Sequence, residues 1–250
     1  MLESRKIERD TSMVYTELGQ NEIEISRICI GGVSFGQVSP DFHQWVTDQL
    51  GTQAVIKEAL NQGTSFIGTA IVYAHGTSEG HIGKPLKNLG VKRVDIMLAS
   101  KGCFNEGCFP RETIQVEIGG TLRRLGTDYR NLCTIHRFDY TTSIEETMEA
   151  LDALVKAGKI RALGASAMYA YQFYNMQVSA DENGWARFSS MQCHYNLLYC
   201  EDEHDMIPVC RQYGVSITPY SPLTSDYLTR PTRDSTSSRS TTDNTMRSKY

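Results

Sequence analysis

The sequence predicts an α/β fold in which parallel strands and helices alternate to build a barrel. Three observations carry this prediction. Short apolar runs recur at intervals of roughly 25 to 36 residues, the length of one βα unit. The segments between them carry helix start and stop marks. The length of 250 residues is the usual size of one such barrel. No G-x-G-x-x-G opens any of the helices, which favours a barrel over a doubly wound sheet.

The elements follow in order. A hairpin comes first, Met13 to Leu18 and Ile23 to Ser26, turning at Gly19-Gln20-Asn21. Seven compact runs then read as strands: Ile28–Ile30, Ser65–Ile67, Ile96–Ala99, Leu132–Ile135, Ala162–Gly164, Met191–Cys193 and Val215–Ile217. Several are apolar on successive residues, as expected for strands covered on both faces. Val55, Ile56, Ala59 and Leu60 form a helical stripe that Gly63 stops. Ile114, Ile118, Leu122 and Leu125 repeat the scheme before Gly126, with Gly119 and Gly120 each costing about 1 kcal/mol relative to Ala. Ser143 and Glu146 form a capping box ahead of the stripe Ile144, Met148, Leu151 and Val155, which Gly158 ends. A weaker helix between Glu203 and Tyr213 must place Pro208 near its first turn.

Composition excludes several classes. Apolar residues at 40% and aromatics at 9% can build a core. Mean hydropathy is −0.36, and no uninterrupted apolar run approaches the ~18 residues of a membrane span. The first ten residues hold no apolar stretch, so no secretory signal is expected. A net charge of −4 argues against a nucleic-acid partner. The seven cysteines are odd in number and form no C-x-x-C pair, which reads as reduced thiols in a cytoplasmic protein. Cys103 and Cys108 are read the same way. The six histidines lack ligand spacing, so no metal is expected. Gly83-Lys84 is followed by Pro85 and makes no phosphate loop. Residues 229–250 carry five basic and two acidic side chains and are half Ser and Thr, the composition of a solvated tail. The domain division is therefore 1–228 for the barrel and 229–250 for the tail.

In a barrel, chemistry sits where the strands end and the βα loops begin. Polar residues there are Tyr73, Lys101, His136, Ser166, Gln192, His194, Tyr220 and Ser221. A Tyr, a Lys and a His on one pocket suggest proton delivery to a carbonyl oxygen. A phenol titrates near about 10 in water and is a poor acid until an ammonium stabilises its phenolate. A neutral imidazole can orient the carbonyl. The hydride must come from a cofactor, since no side chain supplies one.

Residues 66–79, FIGTAIVYAHGTSE, resemble the aldo-keto reductase signature D-x-A-x-x-Y followed by G-x-S-E. Ile135–Asp139, Gly158–Ser166 and Pro219–Leu223 resemble that family too, in order and spacing. The likeness runs from about residue 14 onward and is closest to the branch related to potassium-channel β subunits. It implies a TIM-type (β/α)8 barrel that binds NADPH and reduces aldehydes or ketones. By the same resemblance, Tyr73 is the general acid, Lys101 its electrostatic partner and His136 the residue that orients the carbonyl. Ser166 and Gln192 hydrogen-bond the nicotinamide carboxamide, Tyr220 stacks on its ring, and Ser221 and Leu223 lie along the pyrophosphate.

The sequence also departs from that pattern. Gly68 stands where the family has Asp, which leaves Lys101 without its carboxylate and impairs proton delivery. Ala167, Cys193 and Asn131 replace residues common in the family, and a weakened cofactor site is expected from them. The chain ends within what would be the loop after strand seven. The expected barrel is therefore incomplete: a hairpin, about seven βα strands and no strand eight. Unpaired edges recruit other chains, so a homo-oligomer stays open beside the small-molecule carbonyl substrate as a partner. A basic tail folding over the pyrophosphate is the functional alternative to a solvated one. Two other readings stand beside the reductase: a non-catalytic nucleotide-binding or subunit-like relative, and a lyase using Lys101 as a Schiff-base nucleophile.

Overall fold

The computed structural model describes residues 11–39, 42–102, 111–229, 239 and 242–243. β1 (Tyr15–Glu17) and β2 (Glu24–Ser26) pair antiparallel, with Tyr15 opposite Ser26. The turn between them starts at Gly19, where φ is +60°. Leu18 beside the turn is fully buried. It packs against Phe66, Met97, Ala99, Leu132 and Ala162 on four strands of the main sheet. Tyr15 Oη donates to the Gly63 carbonyl at 2.5 Å, and Gly19 N–H donates to Ser216 Oγ at 2.7 Å. The hairpin thus plugs the N-terminal end of the sheet and ties its early strands to its last.

The main sheet has seven strands: β3 (Cys29–Gly31), β4 (Phe66–Ala70), β5 (Met97–Gly102), β6 (Arg130–Ile135), β7 (Ile160–Ser166), β8 (Phe188–Gln192) and β9 (Ser216–Ile217). They lie in sequence order, each parallel to the next. β3 and β9 are its edges, and among the described residues no strand joins them, so the barrel is not closed. Every residue of β5 and β6 is buried, the environment their continuous apolar runs predict.

Helices cover the outer face: α1 (Gln49–Asn61), α2 (Thr77–Asn88), α3 (Arg111–Leu125), α4 (Ile144–Lys156), α5 (Ala170–Asn183) and α6 (Met206–Tyr213). The glycine stops Gly63, Gly126, Gly158 and Gly214 all have φ between +63° and +87°, the left-handed turn that ends a helix. At α4 the Ser143 hydroxyl accepts from Glu146 N–H at 3.1 Å. α6 is shorter than the sequence implies. Residues 201–203 form a 3₁₀ turn, and the Asp205 carboxylate then accepts from Met206 N–H at 2.6 Å. Pro208 falls in the first turn, where a missing N–H costs nothing.

The pattern did not single out α2 and α5. Gly80, Gly83 and Pro85 within α2 dilute its signal, and tertiary contacts make it a helix. Glu79 is fully buried and accepts from Ser100 Oγ of β5 at 2.5 Å and from Arg124 Nε of α3 at 2.6 Å. A side chain at Gly83 would put Cβ 2.5 Å from the Leu125 carbonyl oxygen, so only glycine lets α2 approach α3 this closely. Among the described residues, no helix is long and apolar enough to cross a membrane.

Candidate active site

The C-terminal ends of the strands open on a cleft of about 820 Å³. Tyr73 and His136 line one side. Ser166, Gln192, Tyr220, Ser221 and Leu223 line the other. Lys101 does not line it. The penultimate residue of β5, it is 6% exposed and sits behind Tyr73, with Nζ 4.8 Å from the centre of the phenol ring.

Register explains how these residues meet. Ala70 pairs with Lys101 and Gly68 with Ala99, so β4 and β5 bring Lys101 beside the turn that carries Tyr73. That turn is strained. Ala74 and His75 follow Tyr73 with φ of +47° and +53°, and such values in non-glycine residues mark functional sites. The Tyr73 and His136 rings meet edge-on, 5.9 Å apart at 84°. Burial, then the Lys101 ammonium and then Arg137, hold His136 down to about 3. Its imidazole is therefore neutral at physiological pH.

Gly68 lies beside this group with no backbone reason to be glycine. A Cβ there would meet Cys29 Sγ at 3.5 Å, an ordinary contact, and the Ile30 carbonyl oxygen at 4.0 Å. Lys101 Nζ donates to the Thr69 carbonyl oxygen at 3.2 Å. Among the described residues no carboxylate forms an ion pair with it.

The opposite wall is built from strand ends. Ser166 and Gln192 are register partners, and the Ser166 hydroxyl donates to the Gln192 carbonyl at 2.8 Å. Tyr220 lies beyond β9 rather than on it, because β9 stops at Ile217. A bridge to His194 holds it there instead. The His194 ring stacks on Tyr220 at 4.9 Å and on Tyr199 at 4.5 Å, a three-ring pile. Asn196 Nδ2 donates to the Ser221 carbonyl at 3.2 Å and lies 3.3 Å from His194 Nε2. The packing role of His194, Tyr199 and Asn196 was not legible in the sequence, since it depends on a contact between two loops.

The side chains of two departures from the family pattern, Asn131 and Cys193, do not line the cleft. Asn131 sits at the far end of β6, where its Oδ1 accepts from Arg93 at 2.7 Å and from Leu98 N–H at 3.0 Å. Cys193 packs in the core under α5 and α6. Burial, with the Asp202 carboxylate nearby, pushes its thiol up to about 12. Ala167 does line the cleft, at φ +46°.

A third wall was missed. His43 and Trp45, in the loop after β3, stack at 4.5 Å and 19°. Arg239 from the tail lies 4.1 Å over the Trp45 ring and pairs with Asp243 at 3.1 Å, and Asp243 is only 4% exposed. Burial first, with Asp243 and Arg239 acting in opposite directions, lowers the His43 pKa. The described part of the tail is thus docked on the cleft rather than solvated. No sequence signal beyond the basic character of the tail pointed there. Cys103 and Cys108 lie outside the described residues.

Comparison with known proteins agrees with this architecture. The model of the Aldo/keto reductase family matches residues 27–249. Aldo-keto reductase AMT2 of Alternaria alternata is 35% identical over 247 residues, covering 87% of this chain and 66% of its own length. Versiconal hemiacetal acetate reductase of Aspergillus parasiticus is 35% identical over 254 residues, covering 92% and 73%. The crystal structure of the thermostable aldo-keto reductase Tm1743, in complex with the inhibitor epalrestat, superposes with a TM-score of 0.74 at 29% identity. It covers 84% of this chain and 73% of that one. The chain therefore spans about two thirds to three quarters of the length of these relatives, and it belongs to the aldo/keto reductase family.

Proposed function

We propose that the chain reduces an aldehyde or ketone with NADPH. The observation that carries this reading is the position of Tyr73 and His136 on one cleft, with the Lys101 ammonium behind the phenol ring. The opposite wall fits a nicotinamide. Ser166 and Gln192 offer paired polar groups, and Tyr220, stacked on His194, lines the same cleft. Ser221, Leu223 and the docked Arg239 would accompany the phosphates. NADPH bound there would supply the hydride.

The residues of the chain do the rest. Tyr73 hands its hydroxyl proton to the carbonyl oxygen as negative charge develops there. The ammonium of Lys101 favours the phenolate left behind. His136, neutral because burial and Lys101 keep it so, donates a hydrogen bond that orients the carbonyl. Trp45 and His43 line the same cleft and would shield a bound substrate from water. The reduced cysteines fit a cytoplasmic setting.

Fluorescence titration should show NADPH binding, tighter than NADH. Gly68→Asp restores a carboxylate beside Lys101 and should raise turnover of a test aldehyde at least tenfold, or ~1.4 kcal/mol of barrier. Absence of NADPH binding would sink the reading. The second reading, a non-catalytic nucleotide-binding relative, is favoured by the Lys101 ammonium, which no carboxylate among the described residues joins. It wins if NADPH binds and neither the wild type nor Gly68→Asp turns over.

A further inference from the structure

At the end of the sheet opposite the active-site cleft, a second cavity of about 260 Å³ opens between the hairpin turn and the starts of β7 and β8. Gln20, Asn21, Arg161, Arg187, Ser189 and Tyr213 supply its polar lining. The strand register explains why there is room. Leu163 pairs with Phe188 and Gly164 with Ser190, so Ser189 is an extra residue that bulges β8. A bulge interrupts the ladder and re-aims the side chains beside it. Asn21 Nδ2 donates to the Ser189 hydroxyl, which fastens the hairpin turn to the bulge.

Among the described residues, the charged side chains on this lining are both guanidiniums. Arg161 lies 3.8 Å over the Tyr129 ring, and a stacked guanidinium keeps its N–H fork for oxygen ligands. Arg93 lies 4.0 Å over the same ring. Its own donors end on neutral acceptors, Thr127, Asn131 and the carbonyls of Ile96 and Tyr129, so its charge adds to the positive potential beside Arg161. Arg187 donates to Gln20 Oε1 at 3.4 Å and pairs with Asp181 at 3.5 Å. Both contacts are long and exposed to solvent, and a pair of that kind yields readily to a better acceptor.

Charge and size together select the ligand. Two guanidiniums balance two negative charges, and each fork matches a pair of oxygens on one tetrahedral group. The volume lies just below the ~300 Å³ at which pockets begin to hold drug-sized ligands, so it suits a phosphate with few further atoms. We propose that this cavity binds a phosphate dianion, free or at the end of a small ester. Every residue it uses stands apart from the active-site cleft, so the proposal and the reductase reading can fail separately.

The test uses the full chain without nucleotide at mildly alkaline pH, where phosphate is a dianion. Sodium phosphate is titrated at ionic strength held constant with sodium chloride, while the unfolding temperature and the ³¹P line width are followed. The expected result is saturable broadening, with a rise in Tm of about 3 to 5 °C at roughly ten times the dissociation constant. Glycerol phosphate forms the second arm: tighter binding than inorganic phosphate identifies an ester as the occupant, and equal or weaker binding identifies free phosphate. Arg161→Gln and Arg187→Gln should each weaken binding at least tenfold, and Arg161→Lys, which keeps the charge without the fork, should fall between. Both arginines are exposed, so these variants are expected to fold. A response that survives both glutamine substitutions would place the phosphate elsewhere, the active-site cleft included, and overturn the proposal. So would tighter binding of malonate or succinate than of either phosphate, or no response in the wild type.

Discussion

His136 shows how one residue's surroundings set its chemistry. Its identity was visible in the sequence, but its charge state was not, because burial and the Lys101 ammonium exist only in the fold. A pH dependence follows. The folded-state pKa, about 3, lies below the ordinary 6.5. Between those values the unfolded chain binds a proton that the folded chain refuses, so stability falls as pH drops through this window. The slope from this group is at most about 1.4 kcal/mol per pH unit. His136→Gln cannot take up that proton. Urea unfolding at pH 7, 6 and 5 should therefore show the variant losing less stability on acidification than the wild type. Identical slopes would mean that the imidazole is better solvated than the fold indicates. Gly68 teaches the converse. Its position suggested a chemical loss, and the structure adds that its backbone makes no demand for glycine.

At the scale of elements, the strands were legible because β5 and β6 are covered on both faces, and burial writes a continuous apolar run into sequence. Helices α1, α3 and α4 were legible from stripe and glycine stop. α2 was not, since the buried contacts of Glu79 and the close approach at Gly83 override a weak local pattern. The junction between β7 and α5 makes a further point. Ala167 occupies the left-handed region at φ +46° directly after Ser166, where a non-glycine residue costs about 1 to 2 kcal/mol and Asn less. Its side chain is on the cleft. We expect Ala167→Asn to raise stability by about 0.5 to 1 kcal/mol in urea unfolding, and to lower the NADPH dissociation constant by adding an amide to that wall. Unchanged stability would argue that the local backbone has relaxed around alanine.

For the whole molecule, the tail and the loop after β3 meet although nearly 200 residues of chain separate Trp45 from Arg239. A guanidinium over an indole contributes about 0.5 to 2 kcal/mol, and the buried Asp243 carboxylate fixes the guanidinium. Trp45→Ala should loosen this closure. Amide exchange at residues 239–243 is expected to speed up about tenfold while exchange in β5 and β6 stays unchanged. No change in the tail would show that Asp243, not Trp45, anchors it. The sequence by itself determined the alternation of strands and helices, the parallel sheet, and Tyr73, Lys101 and His136 as a group, because these follow from local periodicity and from motifs short enough to be read along the chain. Only the tertiary structure decided that the side chains of Asn131 and Cys193 stay out of the cleft lining, that His194 and Tyr199 stack with Tyr220, and that the tail meets Trp45. Those outcomes depend on which face of a strand points inward and which loops meet across the sheet's end, and such contacts between distant segments leave no periodic trace in the chain.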